Sequence, residues 1–161
     1  MPGVTDREKG YGLLITVSAL VVLLDQITKT VVTRLLSLHQ TVEVINGFFN
    51  IVYIKNPGAA FGILRGWGAV RTVLLILISL AALAVIVYLY GKTTGRLASF
   101  ALSLIAGGAV GNLIDRVRFG EVIDFLDFSL CGYHWPAFNL ADSAITVGVT
   151  VTVILACLKR G

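Results

Sequence analysis

The sequence predicts an α-helical membrane protein: four transmembrane helices with a small β element. Three observations carry this. Of 161 residues, 57% are hydrophobic and only 14% are charged, where a soluble domain carries about 25% charged residues. Four segments reach the roughly 20 mostly apolar residues that a helix needs to cross the hydrocarbon. One polar connection, TVEVINGFFNIVYIK (41–55), alternates β-branched and aromatic residues in the manner of short strands.

The first span covers about 12–36 and contains Asp25 and Lys29. Arg7 and Lys9 ahead of an apolar run give it the look of a cleaved signal peptide. No small-residue cleavage site follows, however, and helical character continues through DQITKTVVTRLL. A polar connection at about 37–69 carries the strand pattern, with a turn at Asn46-Gly47. The second span, about 70–91, has no charge from Thr72 onward and ends at the tight turn GKTTGR (91–96). The third, about 97–115, is Gly-rich at its far end, where Gly107 and Gly111 form a GxxxG spacing suited to close helix packing. A second polar connection, about 116–140, leads to the fourth span, about 141–158. The whole reads as one domain, 1–161, with both long connections on one side of the membrane and both termini on the other. Arg7, Lys9, Lys92, Arg96, Lys159 and Arg160 make the termini side cytoplasmic, although Lys55, Arg65, Arg71, Arg116 and Arg118 dilute the bias.

Composition also excludes function classes. The net charge of +4 is scattered singly or in pairs, so no nucleic-acid partner is expected. Cys131 and Cys157 make no metal spacing with His39 and His134, and no CxxC occurs. Neither a metal, another cofactor nor a disulfide framework is therefore expected; Cys157, inside an apolar run, should be a buried thiol. HExxH and GxS motifs are both missing.

Four stretches hold the residues that can do chemistry. Asp25 and Lys29, four apart, share a helix face; they either neutralise each other or line a site, since charge inside a span faces a partner or a wet cavity. In GNLIDRVRFG, Asn112 and Arg116 share a face while Asp115 points elsewhere; Arg116 either snorkels to headgroups or donates hydrogen bonds to a loop or substrate. In GEVIDFLDF (120–128), an extended chain makes Asp124 the only acid on an apolar face, apart from Glu121 and Asp127. Burial there should raise its pKa. In WPAFNLADSAITVGV, Asn139 and Asp142 have the spacing of a capping box ahead of an apolar run. Two aspartates close together in a dry site share one proton. One can then activate water while the other polarises a carbonyl, which is peptide hydrolysis without metal, thiol or serine.

The blocks DQITK (25–29), NPGAAFG (56–62), GGAVGNLIDR (107–116), GEVIDFLDF (120–128) and FNLADS (138–143) occur in an order and spacing that resembles the lipoprotein signal peptidases, the bacterial signal peptidase II family. The resemblance covers nearly the whole chain. It implies four helices in the bacterial cytoplasmic membrane with a small extracytoplasmic β-cradle. It also implies an aspartyl endopeptidase with Asp124 and Asp142 as the catalytic pair, without a cofactor. Asp25, Lys29, Asn56, Gly58, Asn112, Arg116, Asn139 and Ala141 match the family's other motif positions and are expected to support the pair or contact substrate. The implied substrate is a prolipoprotein whose cysteine already bears diacylglycerol, cut just before that cysteine, with membrane lipid as the other partner.

Two other classes make different demands. A small transporter would string Asp25, Lys29 and Asp142 along one pore. A non-catalytic assembly protein would use Gly107 and Gly111 between chains, leaving Asp124 dispensable; a dimer is allowed but not required. Finally, GAAFGILRGWG (58–68) is the expected moving lid, because a bulky lipopeptide must enter a site that works better dry.

Overall fold

The computed structural model describes residues 4–58, 68–130 and 133–158. Helix α1 (Val4–Leu35) is followed by strands β1 (Thr41–Ile45) and β2 (Phe49–Asn56). Helices α2 (Gly68–Lys92) and α3 (Arg96–Phe119) come next, then strands β3 (Val122–Leu130) and β4 (Tyr133–His134) and helix α4 (Leu140–Leu158). Four stretches, Tyr11–Leu35, Gly68–Lys92, Arg96–Phe119 and Leu140–Leu158, are long and apolar enough to cross a membrane. Their outward faces remain apolar: Leu23, Leu77, Ile78 and Val153 are each more than half exposed. A helix satisfies its backbone internally, and so tolerates a lipid surround without further partners. The chain is a multi-pass membrane protein.

Helix α3 is the centre, packed against α1, α2 and α4. Small residues allow the close approach. A Cβ on Gly107 would lie 2.9 Å from the Ser18 Cα, and one on Gly148 would lie 2.6 Å from the Ala101 carbonyl oxygen. The GxxxG spacing is therefore occupied by this chain's own α1. Polar contacts add to the packing, since the Ser18 hydroxyl donates to the Ser103 carbonyl across the α1–α3 contact at 2.9 Å. At the opposite end from the sheet, Leu14 of α1, Ile86 and Tyr90 of α2, and Leu102 and Ala106 of α3 form a buried apolar cluster.

The third helix runs to Phe119, beyond the expected boundary at 115, so Arg116 and Arg118 lie in its last turn. Cations there are favoured by the partial negative charge of the carbonyl end. Gly120 stops the helix in the left-handed conformation (φ 76°) and donates its N–H to the Arg116 carbonyl at 3.0 Å. The chain turns directly from this cap into β3.

Strands β1, β2 and β3 are antiparallel in that order, and the two-residue β4 pairs with the end of β3. The β1–β2 turn is at Asn46-Gly47 as the sequence predicts, with Gly47 at φ 67°. Phe138 forms a bridge with Leu126, its N–H donating to the Leu126 carbonyl at 3.0 Å and its carbonyl accepting from Leu126 at 2.8 Å. This bridge sets the start of α4 beside the middle of β3. Beside Phe138, an apolar cavity of about 420 Å³ is lined by Phe48, Phe128, Leu130, Tyr133 and Trp135, among others.

The expectation for Cys157 fails. Cys157 is exposed, not a buried thiol. The apolar run around it is a membrane span, so apolar neighbours in sequence mark a lipid-facing surface there rather than a core. Cys131 and most of the expected lid, 59–67, fall outside the described residues.

Candidate active site

Three helices and the sheet bring their polar residues to one place. Asp124 lies on β3 opposite Ile54 of β2, and Asn56 is the diagonal neighbour of Asp124 on the same face. The Asn56 amide donates to Asp124 Oδ2 at 2.8 Å. On the other side, the Asn139 amide donates to Asp124 Oδ1 at 2.7 Å. Asp124 is 1% exposed. Burial pushes its carboxyl up from the ordinary 3.8 to about 6, and the nearby Asp142 adds to the rise against the two amide bonds.

Asp142 sits in the first turn of α4. Its backbone N–H donates to Asn139 Oδ1 at 2.9 Å, and its Oδ2 accepts from the Asn139 backbone N–H at 3.4 Å. That reciprocal pair is the capping box the spacing suggested. The remaining oxygen, Oδ1, accepts from the Asn112 amide at 2.7 Å. Asp142 thus caps its helix and faces Asp124 through a relay of amides, because the Asn139 amide also donates to Asn112 Oδ1 at 3.2 Å. Capping and site geometry are not alternatives here.

Behind the relay is a buried ionic cluster. Lys29 Nζ lies 2.8 Å from Asp25 Oδ2 and 2.8 Å from Asp115 Oδ2, and it donates to Asn112 Oδ1 at 3.2 Å. Asp25 Oδ1 accepts from the Ala141 backbone N–H at 3.0 Å, one of the donors left open at the start of α4. Asp25 and Lys29 thus pair with each other and also with neighbouring helices, Lys29 with α3 and Asp25 with α4, and both are buried. Gly111 makes room for this, since a Cβ there would lie 2.7 Å from Asp25 Oδ2. Ala141, fully buried, would be 3.3 Å from the same Cβ.

Asp115 does not point away from Asn112, as the helical spacing suggested. It reaches the same side, taking Lys29, the Gln26 amide at 2.9 Å and the Ile123 backbone N–H at 3.2 Å. Residues three apart also neighbour one another on a helix, and an acid inside an apolar helix needs a partner on the next one. That was the available signal for Asp115; Gln26 gave none beyond its place next to Asp25. Arg116 is half-buried, and among the described residues its hydrogen bond goes to the Asn112 carbonyl at 3.5 Å. Gly58 (φ 86°) donates its N–H to Asn56 Oδ1 at 2.9 Å. Asp127 bonds the Asn50 amide across the strand pair at 2.8 Å, a contact within the sheet.

A family model described as signal peptidase (SPase) II matches residues 17–158. The chain belongs to the signal peptidase II family. It is 52% identical to the lipoprotein signal peptidase of Desulforapulum autotrophicum over 87% of this chain and 88% of that one. It is 46% identical to that of Syntrophotalea carbinolica, over 89% and 90% of the two chains. A solved bacterial membrane enzyme superposes with a TM-score of 0.82 at 39% identity, covering 93% of this chain and 95% of the other. Signal peptidase II is an aspartic-type peptidase family, and this chain is a protease of that class.

Proposed function

We propose that the chain is the aspartyl endopeptidase that removes signal peptides from diacylglyceryl-modified prolipoproteins, cutting just before the lipidated cysteine. The observation that carries the residue assignment is the buried relay Asp124–Asn139–Asn112–Asp142, which joins two carboxylates from different elements through amides alone. Asp142 takes a proton from water, and the resulting hydroxide attacks the scissile carbonyl carbon. Protonated Asp124 gives its proton to the carbonyl oxygen. On collapse of the tetrahedral intermediate the C–N bond breaks, the proton held by Asp142 passes to the leaving cysteine nitrogen, and one hydroxyl proton returns to Asp124 as the carbonyl re-forms. Asp25, Lys29, Asn56, Gly58, Asn112, Arg116, Asn139 and Ala141 hold the pair in place or contact substrate.

We place the chain as one integral domain, 1–161, in the bacterial cytoplasmic membrane, with both termini in the cytoplasm and the pair near the outer interface. Acyl chains on the substrate cysteine stay in the bilayer, so the bond to be cut is held at that depth.

The test is cleavage of a diacylglyceryl-modified prolipoprotein by purified protein in detergent, beside the unlipidated precursor. Asp124→Asn and Asp142→Asn are each expected to lower kcat by at least about 10³-fold while eluting as folded protein. Either variant retaining wild-type turnover removes the pair. Equal cleavage of both precursors removes the lipid requirement.

A further inference from the structure

Three asparagines serve the two carboxylates, and an amide side chain delivers an N–H only if its orientation is fixed. In each case a group that can only donate faces the amide oxygen. The Gly58 N–H holds Asn56 Oδ1 and the Asp142 N–H holds Asn139 Oδ1, both at 2.9 Å. For Asn112 two donors hold the oxygen, each at 3.2 Å: Lys29 Nζ, which comes from a different helix, and the Asn139 amide. Each amide therefore turns its NH₂ group to a carboxylate. The first two holders are backbone groups supplied by the local turn. The third depends on two side chains, of which only Lys29 carries a charge. With Asn112 reversed, its carbonyl oxygen would face Asp142, an arrangement that suits a protonated carboxyl and repels an ionised one.

Lys29 has three donors and three acceptors: Asp25, Asp115 and Asn112. It accepts nothing, so Asn112 cannot reverse while the ammonium is there. Lys29 also reaches Asp142 through its field, which that of Asp25 opposes, and orientation is a second route separable from charge. Among the described residues, the charged groups around the pair are Asp25 and Lys29 from α1, Asp115 and Arg116 from α3, and Asp124 and Asp142 themselves.

Resting on the aspartic reading above, we propose that Lys29 is a positioning residue that sets the proton state of the catalytic pair: by locking the Asn112 amide it keeps an N–H on Asp142 and so keeps Asp142 as the ionised base. Asp25 and Asp115 hold the ammonium where it can do this.

The measurement is the pH profile of kcat/KM for cleavage of a lipidated prolipoprotein in detergent, with wild type and three variants. Lys29→Met/Asp115→Asn leaves the net charge of the cluster unchanged but removes the donor to Asn112. Its acid limb should move up by about one pH unit, a tenfold loss at fixed acidic pH, with KM unaltered. Lys29→Arg keeps a donor-only group, and Asp115→Asn keeps Lys29 while removing a negative charge. Both should leave the limb where wild type has it, whatever they do to kcat. A double variant with an unmoved limb overturns the proposal. So does Asp115→Asn moving the limb as far as the double variant, because charge rather than orientation would then be responsible. If the double variant does not fold, Lys29→Met alone is read in its place: a limb that stays where wild type has it overturns the proposal, and Asp115→Asn remains the control for charge. An inactive wild type, or an active Asp124→Asn or Asp142→Asn, counts instead against the aspartic reading.

Discussion

Asp124 is a carboxyl that folding pushes toward its neutral form. Its folded value of about 6 lies above its ordinary 3.8, so the folded protein keeps a proton that the unfolded chain releases across roughly pH 4–6. This contribution to stability is complete below the unfolded value and is lost as pH rises through the folded one. Wild type should lose on the order of 2–3 kcal/mol from this group between about pH 4 and pH 7. Thermal unfolding in detergent, followed against pH, should show that slope in wild type and a shallower one in Asp124→Asn. Parallel slopes would mean that burial does not hold the proton there. The sequence made Asp124 legible because alternation left it the only acid on an apolar strand face. Alternation did not reveal Asn56 as its partner, which only the family resemblance suggested, because that contact depends on the β2–β3 register, where the pairing shifts between Ile51 and Ile54.

Among the elements, α3 shows what periodicity reveals and what it leaves hidden. Small residues at 107 and 111 marked a close crossing, and the structure places α1 against them. Gly148 does the same work from α4, although a lone glycine in an apolar run has no spacing to advertise it. A Cβ there would meet the Ala101 carbonyl oxygen and Ile105 Cγ1, each at 2.6 Å. Gly148→Ala should therefore push α3 and α4 apart and lower stability by about 1–3 kcal/mol, seen as a lower thermal midpoint with intact membrane insertion. An unchanged midpoint would show that the crossing has slack. Helical spacing misplaces Asp115 for a related reason. A helix in isolation does not say which of its faces meets a lysine on another helix.

For the molecule as a whole, hydropathy located the four long apolar helices to within a few residues, because lipid selects on composition over a whole segment. It could not disclose that Asp25, Lys29, Asn112, Asp115 and Asp142 meet, since those contacts join the first, third and fourth helices. The proposed orientation has its own test. In a protein whose two native cysteines are replaced by serine, Thr93→Cys in the α2–α3 turn should react only with reagent supplied from the cytoplasm. Thr41→Cys at the start of β1 should react with impermeant reagent added outside. The reverse pattern would invert the topology and place the carboxylate pair at the inner face.

The Asp25–Lys29 contact also bears on biogenesis. During synthesis α1 reaches the membrane before Asp115, Asn112 or Ala141 exists, so the final partners of its two buried charges are still to be made. A lone Asp or Lys at the centre of a span raises the insertion free energy by about 2.5–3.5 kcal/mol. Four residues apart and 2.8 Å from each other, the two can neutralise one another within α1 while the rest of the chain is being translated. The pair that later anchors the site thus serves first as a travelling companion ion for each charge, and a span carrying Asp25 without Lys29 would face the translocon with that charge bare.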